Sequence, residues 1–186
     1  MNHVGEFEKV SLGQFREAIA NEFYKGQELP PEVEQEIKRM WEGIALPHRA
    51  TTGSAGYDFK APFTFELRPG ETMKIPTGVR VKIDDGWWLG CLPRSGLGFK
   101  FRLQLDNTMG VIDSDYYNSD NEGHIFAKVT NDSKSQKIVR VEGGTGFMQA
   151  IFIPYGITWH TIISYDLSPL ISVSGLFLFL PLLHLC

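Results

Sequence analysis

Phe63-Thr64-Phe65-Glu66-Leu67-Arg68-Pro69-Gly70-Glu71 alternates apolar and polar side chains and then breaks at a Pro-Gly pair. An extended chain sends successive side chains to opposite faces, so a period of two marks a strand with one buried face, and Pro69-Gly70 marks the turn that ends it. Downstream the pattern returns. Val79, Val81 and Ile83 alternate with Arg80 and Lys82 before Asp84-Asp85-Gly86, and Ile125, Ala127 and Val129 alternate within His124–Thr130. Val139 and Val141 flank Arg140 in the same way. No helical period separates these runs, so residues 46–156 read as an all-β sandwich or barrel.

Upstream of that block the period changes. Leu12, Phe15, Ile19 and Phe23 fall near one helical face behind Ser11, a good N-cap residue. A second helix is expected from Pro31, which suits the first helical position, with Val33, Ile37, Met40 and Trp41 on one side. Residues 1–45 thus form a helical extension built for packing, since no cluster of reactive side chains occurs in it. Downstream, residues 157–186 carry one formal charge, Asp166, and end in a run rich in Leu and Phe. A spanning helix needs about 20 apolar residues, and here three serines, two prolines and a glycine interrupt the uncharged stretch. An atypical apolar tail is expected rather than a membrane anchor, with an ending altered by a frame shift or a cloning junction as a further reading.

The chain has 186 residues, the size of one domain with an appendage. At 42% hydrophobic and 22% charged it is an ordinary globular sequence. Its 22 acids against 18 bases give a net charge of −4, which excludes broad electrostatic attachment to nucleic acid or anionic lipid. Any phosphate chemistry must come from a local site. Cys91 and Cys186 make neither a disulfide framework nor a zinc set, and Met1–Val10 has no apolar core of a secretory signal, so a reducing cytoplasm is the expected compartment.

Three segments place small residues beside polar groups. Gly53-Ser54-Ala55-Gly56-Tyr57-Asp58 sets a carboxylate behind a flexible turn. Pro93-Arg94-Ser95-Gly96-Leu97-Gly98 offers a guanidinium, a hydroxyl and glycine-permitted N–H groups, the parts of a phosphate cradle. Asn107-Thr108-Met109-Gly110-Val111-Ile112-Asp113-Ser114-Asp115-Tyr116 gathers an amide, two carboxylates and an aromatic ring. Taken singly, each is more often a plain turn than a site. His48, His124 and His160 lack metal-ligand spacing and read as surface or packing residues. Cys91 reads as a small buried residue, and of the neighbours Trp87 and Trp88, which face opposite ways on a strand, one is expected in the core.

Together and in this order, with Gly146-Phe147-Met148-Gln149-Ala150-Ile151 as a fourth segment, these residues resemble the homotrimeric dUTP pyrophosphatase (dUTPase) family. The resemblance covers residues 46–156 and four of five family motifs. It implies a β-rich, jelly-roll-like subunit, three copies of which share their active sites and hydrolyse dUTP to dUMP and pyrophosphate with Mg²⁺. On that resemblance Asp113 is the general base that orients a water against the α-phosphorus. Tyr116 is the ring against the deoxyribose that leaves no room for a 2′-hydroxyl, and Asn107 the amide that reads uracil. Arg94, Ser95 and Gly96 hold phosphate, Gln149 adds a contact near the α-phosphate, and Gly110 lets the backbone approach the substrate. Asp58 is the acid near the metal, acting through metal-bound water. Neither nucleic acid nor a membrane is an expected partner.

Two departures from the family pattern stand out. After Tyr116 the family often continues Arg-Gly, whereas this chain has Tyr117-Asn118 and a longer turn to Gly123. The family's closing motif, with an arginine and a Gly-Phe-Gly pattern, has no counterpart, since no arginine follows Arg140. Closure orders a triphosphate and excludes water, so a catalytically weak dUTP-binding or regulatory protein of the same fold is the main alternative. A dCTP deaminase relative is less favoured, because that chemistry needs a glutamate where this chain has His124-Ile125-Phe126-Ala127-Lys128-Val129.

Overall fold

The computed structural model describes residues 3–159. The apolar tail from residue 160 onward, including His160, Asp166 and Cys186, lies outside them. The elements are β1 (Gly5–Lys9), α1 (Leu12–Tyr24), α2 (Pro31–Gly43), β2 (His48–Arg49), β3 (Tyr57–Lys60), β4 (Phe65–Leu67), β5 (Thr72–Pro76) and β6 (Val79–Ile83). There follow β7 (Trp87–Pro93), α3 (Ser95–Phe101), β8 (Leu103–Leu105), β9 (Gly110–Ile112), a 3₁₀ turn (Ser114–Asn118), β10 (Phe126–Asn131), β11 (Val139–Val141) and β12 (Gly146–Pro154).

The alternating runs become antiparallel strands. A five-stranded sheet has the order β2-β3-β12-β7-β9, and β5-β10-β8, β11-β4 and β1-β6 pair beside it. In β6, Val79, Val81 and Ile83 are buried while Lys82 is exposed, and β4, β10 and β11 bury alternate residues likewise. Their inward faces meet in one core with Phe59, Ile75, Leu89, Leu103 and Phe147. The fold is all-β, as the period of two requires.

Both N-terminal helices form where the sequence places them. Ser11 caps α1, its Oγ accepting from the Gln14 amide at 3.1 Å, and Pro31 opens α2. The helices do not stand apart from the sheets. Phe15 and Ile37 are buried in the common core, and Trp41 Nε1 donates to the Val10 carbonyl at 2.8 Å. Truncating such a buried phenylalanine costs about 3–5 kcal/mol, so this packing is a substantial part of the fold.

Three local features differ from the sequence reading. Residues 5–9 form β1, which pairs antiparallel with β6, Phe7 opposite Val81. Its Glu-rich sequence has only one apolar side chain to bury, so its pairing with the free edge of β6 decides its conformation. Within the block read as free of helix, Ser95–Phe101 is α3 and Ser114–Asn118 a 3₁₀ turn. Seven residues with two glycines carry no readable helical period. Trp87 and Trp88 are both half-buried, and of the two Trp87 packs against the core, as expected for neighbours that face opposite ways. Among the described residues no helix is long and apolar enough to cross a membrane.

Candidate active site

The strand ladder assembles one corner of the site. Gln149 on β12 lies opposite Asp58 on β3 and opposite Leu92 on β7. Directly paired residues point to one face, and Arg94, two residues beyond Leu92, continues on that face. Arg94 Nε therefore reaches Asp58 Oδ1 at 3.3 Å, and its Nη1 donates to the Gly146 carbonyl at 3.4 Å. Gly146 lets the guanidinium lie close to the strand: a Cβ would stand 2.6 Å from Arg94 Nη1 and displace it. Gln149 Nε2 donates to the Pro93 carbonyl at 3.4 Å. Gly56 leaves space for this amide, since a Cβ would come within 3.0 Å of Gln149 Oε1.

Beyond Arg94 the chain turns into α3. Ser95 and Gly96 are exposed, and as first-turn residues their N–H groups have no helical carbonyl to meet. A cleft of about 360 Å³ opens here, lined by Arg94, Ser95, Gly98, Phe99 and Arg102 among others. The Arg94 side chain is 42% exposed, so its guanidinium is tethered by Asp58 and still open to a ligand. Such a fork, hydroxyl and amide set suits phosphate oxygens.

A second group lies on the loop between β8 and β9, on β9 itself and on the turn that follows. Asn107 is exposed at the tip, beside Thr108 with φ +65°. Gly110 pairs with Cys91, where a Cβ would meet the Cys91 Cβ at 3.1 Å. Burial pushes the Cys91 thiol up to about 12, so this cysteine is an inert packing group. Asp113, exposed, precedes the 3₁₀ turn whose Tyr116 amide donates back to its carbonyl at 3.3 Å. The Tyr116 phenol donates to the His124 carbonyl at 2.9 Å and accepts from Asn121 Nδ2 at 2.8 Å.

The two groups stand apart. Cys91 and Gly110 are partners on antiparallel strands, Arg94 follows Cys91 by three residues, and Asp113 follows Gly110 by three in the opposite direction. At about 3.3 Å per residue, the Asp113 and Arg94 backbones are separated by about 20 Å along the sheet. Asp58, Arg94, Ser95, Gly96 and Gln149 thus gather at one end of the β7–β9 ladder, near Gly110, while Asp113 and Tyr116 sit at the other. The sequence reading missed the polar shell of Tyr116 formed by Ser119, Asn121 and the His124 carbonyl. The turn-forming run Asn118–Gly123 was its one visible signal. Among the described residues, no group of three or more His, Cys, Asp or Glu is placed to hold a metal ion.

Fold and site together define a small antiparallel-β protein with a strand end that presents Arg94 and Ser95 and an exposed carboxylate, Asp113, on the turn after β9. The dUTPase family model matches residues 42–169. The deoxyuridine 5′-triphosphate nucleotidohydrolase of Lactococcus lactis is 41% identical over 114 residues, 61% of this chain and 75% of that protein. The protein of the same name from Actinobacillus succinogenes is 45% identical over 119 residues, 62% of this chain and 74% of its own length. The crystal structure of the dUTPase from Streptococcus mutans superposes with TM-score 0.55 at 39% identity, covering 61% of this chain and 88% of that one. The chain belongs to the dUTPase family.

Proposed function

We propose that this protein hydrolyses dUTP to dUMP and pyrophosphate at sites shared between copies of the chain. The observation that carries the shared site is the separation of about 20 Å between Asp113 and Arg94 along the β7–β9 ladder. Attack on phosphorus brings reacting atoms to about 3–3.5 Å, so a base and a phosphate cradle this far apart serve one substrate only when they come from different copies. A closed assembly of three copies is the family's form. Family membership and the names of the relatives support the reaction.

In this reading the Asp113 carboxylate accepts a proton from a water that attacks the α-phosphorus. The bond from that phosphorus to the bridging oxygen breaks, and pyrophosphate leaves. Positioned carboxylates of this kind contribute about 10²–10⁴-fold. Arg94, with the Ser95 hydroxyl and the Ser95 and Gly96 amides, receives the charge that grows on the leaving group. Gln149 faces the same strand end and orients the α-phosphate. Asn107 and the Gly110 backbone meet the uracil, where an unsatisfied buried donor penalises the wrong base. Tyr116 packs on the deoxyribose and excludes a 2′-hydroxyl.

Mg²⁺ keeps most of its waters and leans on substrate phosphates, so a single carboxylate fits it better than a protein cage. Asp58, next to Arg94 and 20% exposed, is the residue that would hold it through water. When bound, the ion neutralises phosphate charge. A buried, unpaired Cys91 suits a reducing cytoplasmic setting. We assign the chemistry to residues 46–156 and a supporting role to 1–45.

Pyrophosphate release from dUTP, measured beside calorimetric titration with a non-hydrolysable dUTP analogue, tests this function. Turnover that requires dUTP over UTP and dCTP supports it. Tight binding without turnover would return the dUTP-binding, regulatory reading.

A further inference from the structure

Tyr116 is held by a loop that the first fifteen residues of the chain pin in place. Its phenol uses both its donor and its acceptor, on the His124 carbonyl and on Asn121 Nδ2. The Asn121 amide is fixed in turn: its Oδ1 accepts from Ser119 Oγ at 2.7 Å and from the Gly123 amide at 3.2 Å. Ser119 Oγ lies equally close to the Tyr116 carbonyl, at 2.7 Å, so its one proton is shared between the two acceptors. Two consecutive left-handed residues, Glu122 (φ +58°) and Gly123 (φ +70°), fold the loop back on itself. A Cβ at Gly123 would stand 2.8 Å from Tyr117 Cα and 2.9 Å from the Tyr116 carbonyl oxygen.

Beyond these internal bonds, the loop is braced from outside. The N-terminal segment supplies the restraint at three points. The Ser11 amide and hydroxyl both donate to the Glu122 carboxylate, at 2.7 and 2.6 Å, and Ser11 is itself the cap of α1. The Tyr117 hydroxyl donates to Glu8 on β1 at 2.9 Å, while the Arg80 guanidinium lies 3.5 Å over the Tyr117 ring and donates to its carbonyl at 3.2 Å. Phe15 of α1 packs on the buried His124 ring, centroids 6.3 Å apart, and His124 Nε2 accepts from the Gly78 amide at 2.8 Å.

We infer that β1 and the start of α1 are a positioning element for Tyr116, so that sugar discrimination depends on Ser11, Glu122 and Asn121 although none of them touches the substrate. The inference rests on the steric role of Tyr116 proposed above and deepens it. These are positioning residues: a networked phenol held from both sides keeps its ring where a 2′-hydroxyl would collide, and a looser loop lets the ring give way.

The test is the ratio of kcat/KM for dUTP to that for UTP, in the full chain, with the thermal midpoint monitoring folding. Glu122→Ala and Asn121→Ala are expected to lower the ratio about tenfold, the scale of a sub-ångström misplacement. Glu122→Gln, which keeps one acceptor for Ser11, should recover most of it. Global destabilisation alone scales both substrates equally and leaves the ratio unchanged. Tyr116→Ala is the control. Should Tyr116→Ala shift the ratio while folded Asn121→Ala and Glu122 variants stay within twofold of the parent, the positioning inference is overturned and the steric reading survives. If Tyr116→Ala leaves the ratio unchanged, the steric reading falls and the inference with it. Should Glu122→Ala fail to fold, Asn121→Ala and Ser11→Ala carry the same measurement.

Discussion

The strand end that carries Asp58, Arg94 and Gln149 and the turn that carries Asp113 and Tyr116 are positioned in different ways. At the strand end the ladder itself does the work: Asp58, Gln149 and Leu92 are in register across three strands, and Arg94 inherits their face. At the turn no ladder exists, and the geometry comes from side-chain hydrogen bonds to a loop braced by the N-terminal segment. Ladder positions tolerate neighbouring substitutions because many backbone bonds share the load. A side-chain network is more brittle, since each member left unsatisfied weakens the rest. One end is thus built to present charge, and the other to hold a shape.

Several experiments would break or sharpen that contrast. The largest effect is expected for Asp113→Asn, which should lower turnover about 10²–10⁴-fold while nucleotide binding, read by calorimetry, persists. Retained activity would remove Asp113 from the base role. Arg94→Ala should also be inactive, through lost phosphate binding at the opposite end. Assemblies refolded from a mixture of these two variants should then recover turnover that neither shows alone, because some sites combine an intact Asp113 from one copy with an intact Arg94 from another. Mixtures that stay inactive would place both groups on the same chain's substrate.

Next comes the scaffold behind the turn. Gly78 has φ +71°, and a Cβ there would meet Ile44 Cδ1 at 2.1 Å. It also ties the N-terminal segment to the turn, its amide on His124 and its carbonyl on the Val10 amide. Gly78→Ala should cost about 2–4 kcal/mol of stability in urea unfolding, from strain and overpacking together. Gly70→Ala, with φ +84° but open space around it, bears the strain alone and should cost less.

The smallest effect is a pH dependence. Burial pushes the His124 imidazole down to about 4, with Lys74 adding to it and Glu122 opposing. The native ring thus stays neutral where the unfolded chain, with an ordinary value of 6.5, takes up a proton. Above that value His124 contributes no pH dependence, and stability falls as the pH drops from 6.5 towards 4. The full loss is about 3 kcal/mol. The Glu122 carboxyl, held below the usual range by the Ser11 hydroxyl and amide, adds a further loss at more acid pH. Unfolding at pH 7 and pH 4.5, compared with His124→Gln, should show that this variant loses part of the slope; an unchanged slope would show that the ring is not held neutral.

How much of this was legible varies with the range of the interaction involved. Ser11 as a cap, Pro31 as a helix start and the buried alternation of Val79, Val81 and Ile83 depend on neighbours within one turn or one strand, and all three were readable. The strand β1 was not, because Glu6, Glu8 and Lys9 carry no period and only the edge of β6 gives them partners. Helix α3 was hidden by Gly96 and Gly98. The candidate residues themselves were found from their motifs, yet no spacing revealed that Arg94 lies on Asp58 while Asp113 is carried to the far end of the ladder.

The sequence by itself determined the all-β class, the two helices and the family, because period, capping and motif order are local properties of the chain. The tertiary structure alone decided which chemical groups face one another. It set the Asp58–Arg94–Gln149 corner through strand register, kept Asp113 away from it, and tied the Tyr116 loop to Ser11 and Glu8. Contacts between residues about a hundred positions apart are fixed by the simultaneous burial of many side chains in one core, and no local pattern encodes that condition.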